Sequence, residues 1–323
     1  MNSKENASAV KVTGVAPILK WVGGKRVILD VIKTNIKNKD ATLIEPFIGG
    51  GALSFSVPTS NQIIIGDLNR ELVNLYQLVS KKSSVEKMIE LLNSRKFEVS
   101  EDNFYRIRNW DRKDDFWLLD PAEIAARTYY LNKTCFNGIF RVNSSNQFNV
   151  PFGKKNPGFK FDFEALRSMQ RLLSSKLPDK RNRFKIQPTA AYDKQILDAI
   201  RLSSGKRVIY LDPPYASAPS SSAKSGKVQS FKTYQKEGFS DTDQADLAEF
   251  VNSIKSKHEV LLSNVDTTKV REWYSGFYFL VIPSVRRSVS GKTSGRSGVD
   301  EILISNHPLQ YNLNGKEFKN GKL

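Results

Sequence analysis

Short apolar runs that end at an acidic residue punctuate the chain. Ala41-Thr42-Leu43-Ile44, Gln62-Ile63-Ile64-Ile65 and Arg207-Val208-Ile209-Tyr210-Leu211 read as strands of a buried parallel sheet. Glu45 follows the first run, Asp67 follows the second across Gly66, and Asp212 follows the third. The pattern therefore expects carboxylates at the carboxyl ends of strands, where open α/β sheets bind ligands. Residues 259–262, leading into Ser263-Asn264, and residues 301–304 read as later strands, with a polar helix over 243–254 before the first of them. The alternation predicts an α/β fold.

The middle of the chain breaks this rhythm. Helical spacing covers 71–92, 121–131 and 162–173, whereas 132–157 is rich in Asn, Gly and aromatic residues. An inserted domain is expected at 77–184, within a sheet domain assembled from 12–76 and 185–310, with flexible tails at 1–11 and 311–323. Residues 216–230 and 286–298 read as mobile loops whose Gly, Ser and basic residues suit either closure over a phosphate backbone or plain surface.

Composition narrows the partners. The chain has 323 residues, 39% hydrophobic and 26% charged, and no apolar run approaches the roughly 20 residues a membrane span needs. The polar first 15 residues lack a secretory layout, so a cytoplasmic protein without a membrane partner is expected. Fifty Lys plus Arg against thirty-three Asp plus Glu give a net charge of +17. That charge favours a polyanion, with nucleic acid ahead of acidic lipid. One cysteine, Cys135, and two histidines, His258 and His307, supply neither a disulfide nor a zinc cluster, so no metal is expected. Cys135 reads as a packed thiol.

Candidate chemistry sits at the strand ends. Glu45-Pro46-Phe47-Ile48-Gly49-Gly50-Gly51-Ala52-Leu53-Ser54-Phe55 is a glycine-rich turn between a strand and a helix, but Ser54 stands where the dinucleotide fingerprint requires glycine. This favours a nucleoside lacking a pyrophosphate, such as S-adenosylmethionine. Asp67 suits ribose hydroxyls or a helix cap. Leu19-Lys20-Trp21-Val22-Gly23-Gly24-Lys25-Arg26 lacks the spacing of a phosphate loop, but its Lys and Trp can meet a carboxylate-bearing cofactor. In Asp212-Pro213-Pro214-Tyr215, two prolines fix a carboxylate, a carbonyl and an aromatic ring in one small space. A ring-bound exocyclic amine needs that set: two acceptors for its hydrogens, to raise the nucleophilicity of its nitrogen, and a ring to stack upon.

These blocks, in this order and with this insert, closely resemble the Dam-like α group (D12 class) of DNA N6-adenine methyltransferases over roughly residues 17–306. The resemblance implies a Rossmann-like S-adenosylmethionine-dependent methyltransferase sheet with a mostly helical target-recognition insert carrying a β-hairpin. It implies cofactor contacts from Trp21, Lys25, Phe47, Gly49, Gly51, Asp67, Tyr192 and Asp212, and catalysis at Asp212, Pro213, Pro214 and Tyr215. Its most specific part is Tyr130-Leu131-Asn132-Lys133-Thr134-Cys135-Phe136-Asn137-Gly138-Ile139-Phe140-Arg141-Val142-Asn143, with Phe148-Asn149-Val150-Pro151-Phe152-Gly153.

That part looks like the family's DNA-reading hairpin. By this likeness Arg141 and Lys20 read guanines, Ile139 and Pro151 touch a thymine methyl, and Phe136 fills the gap left by a flipped adenine. Arg108, Lys133, Asn137, Asn143 and Asn149 are the further implied contacts to double-stranded DNA, and GATC is the implied site. A monomer or weak dimer with a cognate restriction endonuclease is the implied partnership. Two departures stand out: Lys154-Lys155-Asn156-Pro157 follows Gly153 where the family usually has Arg-Tyr-Lys, and Ala191-Tyr192 replaces an Asp-Phe pair. Cytosine-N4 or glutamine-amide methylation and a non-catalytic DNA-binding module are the competing classes.

Overall fold

The computed structural model describes residues 14–21, 23, 25, 28–57, 62–156, 158–187, 200, 205–216, 239–283, 300–313 and 316–323. The apolar runs become strands β1 (Thr42–Glu45), β2 (Ile63–Gly66), β4 (Arg207–Leu211), β5 (Glu259–Val265) and β7 (Glu301–Ser305). The sequence pattern had not marked β3 (Phe184–Gln187) or β6 (Tyr278–Ile282). A two-strand ribbon, β8 (Asn312–Leu313) with β9 (Lys316–Glu317), precedes β10 (Lys319–Lys322). β10 pairs antiparallel with β6, so residues 319–322 are an edge strand of the sheet and not the flexible tail expected there.

The sheet runs β10-β6-β7-β5-β4-β1-β2-β3. Strands β3, β2, β1, β4 and β5 are mutually parallel, and β7 inserts antiparallel between β5 and β6. From β1 the chain first builds outward through β2 and β3, then returns to the other side of β1 with β4. The gap between the carboxyl ends of β1 and β4 is therefore the topological switch point, where doubly wound sheets hold their ligands. Glu45 and Asp212 emerge there. Successive side chains face opposite layers, as the pleat requires. Leu43, Val208, Tyr210 and Leu261 join the core shared with the insert, whereas Ile44, Ile209, Leu211, Val260 and Leu262 pack beneath α7 (Asp241–Ile254) and α8 (Thr268–Trp273).

The helical spacing over 71–92 splits at Ser80-Lys81 into α2 (Arg70–Val79) and α3 (Lys82–Asn93). The Asn69 side chain caps α2 by accepting from Leu72 N. α1 (Leu29–Asn35) precedes β1, and the insert adds α4 (Glu101–Arg108), α5 (Pro121–Thr134) and α6 (Phe163–Leu173). The insert leaves after β2 and returns at β3, its parallel neighbour. α5 is buried on almost every side, which marks it as the insert's central helix. Among the described residues no helix is long and apolar enough to cross a membrane.

The chain beyond α5 folds into the expected hairpin. Cys135 pairs with Phe152 and Val142 with Phe148, both antiparallel, and Asn149 N donates to the Arg141 carbonyl at 3.0 Å. Its rear is fixed by a buried charge cluster. Arg127, fully buried, reaches Glu71 of α2 at 2.6 Å and Asp111 at 2.7 Å, and donates to the carbonyls of Ile107 and Arg108. Asp111 accepts in turn from Phe148 N at 2.7 Å, and Arg112 donates to the Phe148 carbonyl at 2.6 Å. Sheet domain, insert and hairpin thus share one electrostatic anchor.

Candidate active site

The glycine turn after β1 is a cradle packed closely by Trp21 and Phe55, which leave no room for a Cβ at Gly49 or Gly51. Gly49 and Gly51 have φ of +46° and +71°, a region that favours glycine. A Cβ on Gly49 would lie 2.8 Å from Trp21 Cδ1, and one on Gly51 would lie 2.2 Å from the Phe55 ring. The turn is tied to β2: Asp67 Oδ2 accepts from Gly49 N at 3.0 Å, and the Tyr76 hydroxyl donates to the Gly49 carbonyl at 3.0 Å. Burial pushes the Asp67 carboxyl up to about 6. Ser54, the departure from the dinucleotide fingerprint, donates its N–H (3.1 Å) and its hydroxyl to Glu45 Oε2.

Glu45 is buried beside the site, and burial pushes its carboxyl from 4.5 up to about 8. A raised folded value means that the protonated carboxyl suits the fold. Its stabilisation is complete below the ordinary value and is lost as pH rises through about 8. Glu45→Gln keeps an acceptor for Ser54 and removes this dependence. Melting curves of the parent are expected to fall away from those of Glu45→Gln between pH 5 and 8, at about 1.4 kcal/mol per unit at most. Parallel curves across that range would contradict a neutral buried Glu45.

Asp212 leaves β4 opposite this cradle. Lys25 Nζ lies 2.7 Å from Asp212 Oδ1, donates to the Gly23 carbonyl at 2.7 Å and sits 4.7 Å above the Tyr215 ring. Lys25 is only 4% exposed. The sequence pattern had offered this lysine to a cofactor carboxylate, whereas the structure places it on the carboxylate of the Asp-Pro-Pro-Tyr turn. The Tyr215 hydroxyl donates to Glu301 Oε2 at 2.8 Å, and the Pro214 carbonyl accepts from Gln244 at 2.8 Å. Phe47 meets Phe239 edge-on with centroids 6.0 Å apart. Glu301, Gln244 and Phe239 were not singled out from sequence. Gln244 lies on a helix whose packing alone reveals that it is buried, and Glu301 read only as the start of a strand.

The implied DNA contacts divide into two groups. Along the hairpin Phe140, Val142, Phe148 and Val150 are buried, so alternation sends Ile139, Arg141, Asn149 and Pro151 to the opposite face. Arg141 Nε donates to Asn149 Oδ1 at 2.7 Å on that exposed face. Phe136, 44% exposed, and Asn137, at φ +55°, stand at the turn beside it. Lys20 joins them: its N–H and carbonyl are both bonded by the Asn132 amide, at 3.0 and 2.8 Å, and its side chain lies against Gly138.

The second group is engaged with the protein itself. Arg108 reaches the Val150 carbonyl at 3.4 Å, Lys133 lies over the Tyr129 ring at 5.2 Å, and the Asn143 carboxamide closes the hairpin loop by accepting from Ser145 N and Gln147 N. Tyr192 and Ala191 lie outside the described residues, as do Val22, Gly24, Arg26, Pro157, the 1–11 tail, the loop at 286–298 and the 216–230 loop beyond Ala216. Burial raises the Cys135 thiol to about 12, which suits a packed thiol. Among the described residues no group of three or more His, Cys, Asp and Glu is placed to hold a metal.

A sheet that reverses at β1 and β4, with a glycine cradle at one strand end and Asp-Pro-Pro-Tyr at the other, defines an S-adenosylmethionine-dependent methyltransferase. The pattern of the D12 class N6 adenine-specific DNA methyltransferases matches residues 21–288. A type II methyltransferase, M1.LlaDCHI of Lactococcus lactis subsp. cremoris, is 35% identical over 293 residues, 90% of this chain and 95% of its own. M.MjaIII, a type II methyltransferase of Methanocaldococcus jannaschii, is 32% identical over 314 residues, 91% and 99% of the two chains. The DNA adenine methylase of Escherichia coli K12 is 31% identical over 291 residues, 90% and 95%. The chain belongs to the D12 class of N6 adenine-specific DNA methyltransferases, enzymes that use S-adenosylmethionine and act on DNA.

Proposed function

We propose that Asp212-Pro213-Pro214-Tyr215 is the catalytic centre and that the enzyme methylates the adenine of GATC in duplex DNA. The observation that carries the catalytic assignment is the Asp212 carboxylate at the β1/β4 switch point, ion-paired to buried Lys25 at 2.7 Å. An ionised carboxylate at this position is an acceptor-only group. Asp212 and the Pro213 carbonyl accept the two amine hydrogens of adenine, and Tyr215 stacks on its ring. S-adenosylmethionine, when bound, supplies an electrophilic methyl. Trp21, Lys25, Phe47, Gly49, Gly51, Asp67 and Asp212, with Tyr192, hold that cofactor. The cradle supports this assignment, because the packing of Trp21 on Gly49 and the Gly49 N–H to Asp67 bond bring backbone, an indole and a carboxylate together.

Residues 77–184 are the target-recognition domain, joined to a sheet domain of 12–76 and 185–310. Arg141 and Lys20 read guanines, Ile139 and Pro151 meet the thymine methyl, and Phe136 occupies the space of the flipped adenine. The exposure of Lys20, Phe136, Arg141 and Pro151 supports this arrangement, with Ile139 partly buried beside them. The enzyme acts as a monomer or weak dimer, and a cognate restriction endonuclease is its proposed partner. Sequencing DNA methylated by this protein in a methylation-free host is expected to return N6-methyladenine in GATC. Another motif would reject the site, and methyl on cytosine would place the acceptor at cytosine N4.

A further inference from the structure

Behind the catalytic turn lies a chain of buried amides. Gln244, in the first turn of α7, and Asn264, within β5, are both fully buried. Gln244 Nε2 donates to the Pro214 carbonyl at 2.8 Å, and Asn264 Nδ2 donates to Gln244 Oε1 at 3.1 Å. Asn264 Oδ1 accepts from Ala216 N at 3.3 Å and from Val265 N at 2.8 Å. The ends of this chain fix its polarity. A backbone N–H can only donate, so the Asn264 oxygen faces Ala216 and its nitrogen faces Gln244. A backbone carbonyl can only accept, so the Gln244 nitrogen faces Pro214. Each amide has one consistent orientation, and the relay closes on the two peptide groups flanking Tyr215.

We infer that Gln244 and Asn264 are positioning residues for methyl transfer, holding the Tyr215 ring at the angle at which adenine stacks. Three elements converge on this one residue: α7 through Pro214, β5 through Ala216, and β7 through the Glu301 carboxylate on the Tyr215 hydroxyl at 2.8 Å. The prolines before Tyr215 restrict φ at their own positions but leave Tyr215 itself free to rotate. The relay removes that freedom. The capping box of Ser240 and Asp243 fixes the helix start that carries Gln244, so the relay is anchored to a rigid element. This inference rests on the catalytic assignment of Asp212 to Tyr215.

Single-turnover methyl transfer, with enzyme in excess over a duplex substrate, tests it. Gln244→Met keeps the length of the side chain without its amide. Its rate is expected to fall about tenfold or more, while the dissociation constant for S-adenosylmethionine stays within about threefold. Gln244→Glu still accepts from Asn264 but can donate to the Pro214 carbonyl only when protonated. Its rate relative to the parent is therefore expected to fall as pH rises, which loss of packing alone would not produce. A Gln244→Met rate within about twofold of the parent, or a pH-independent Gln244→Glu ratio, overturns the relay. If Gln244→Met loses its cooperative melting transition, the Gln244→Glu ratio decides. Inactive Asp212→Ala beside a normal Gln244→Met rejects the relay alone, whereas active Asp212→Ala rejects the catalytic assignment beneath it.

Discussion

Asp212→Ala is expected to slow single-turnover methylation by about 10³-fold or more, at the upper end of what losing one preorganised polar partner costs. The variant loses the only proposed acceptor that carries full charge, and the Pro213 carbonyl alone cannot bind both amine hydrogens. It also removes the ion-pair partner of the Lys25 ammonium, whose side chain is 4% exposed. Asp212→Asn retains one acceptor oxygen without the charge, and its loss is expected to be smaller, nearer 10²-fold. Duplex affinity, which the proposal assigns to the hairpin face, is expected to stay within about threefold in both variants. A variant at this position that methylates DNA at the parental rate would remove Asp212 from the chemistry.

The second large effect is on folding. Arg127→Met leaves the carboxylates of Glu71 and Asp111 and the carbonyls of Ile107 and Arg108 without their shared donor in a buried setting. Breaking a buried pair by removing one partner costs about 3–5 kcal/mol, which for a chain of this size lowers the melting temperature by about 4–7 °C. Glu71→Gln and Asp111→Asn added to Arg127→Met are expected to recover part of that loss, since fewer buried charges remain uncompensated. Asp111 also accepts from Phe148 N, so duplex affinity is expected to weaken in Arg127→Met. Differential scanning calorimetry and fluorescence anisotropy read the two effects. A shift below about 1 kcal/mol would show that the cluster carries little net stability.

How much of this was legible in sequence depended on contiguity. β1, β2, β4 and β5 announce themselves because parallel strands buried on both faces need unbroken apolar runs, and β7, though antiparallel, is an interior strand with the same buried run. The cradle and the Asp-Pro-Pro-Tyr turn were legible for the same reason, since each packs its chemistry into consecutive residues. β10 was not: Lys319, Asn320, Gly321 and Lys322 are all exposed, so its place is set by backbone pairing with β6 and leaves no apolar signature. β3 alternates only weakly at the sheet's other edge. Arg127 and Gln244 were hidden in a different way. A polar residue in a helix reads as solvated, and its burial depends on partners 56 and 20 positions away, Glu71 and Asn264. Lys25 was noticed, but its partner was invisible because Asp212 lies on the far side of the insert.

One arrangement has thermodynamic weight. Lys20 is held by Asn132 and lies against the hairpin turn, while its neighbour Trp21 stacks on Phe140 at 5.1 Å and covers Gly49. In the proposed assignment these two consecutive residues belong to two binding sites, one for duplex and one for the methyl donor. Covalent neighbours cannot relax independently, so occupancy of either site alters the conformational freedom of the other. By reciprocity, whatever factor DNA applies to donor affinity through this dipeptide, the donor must apply to DNA affinity.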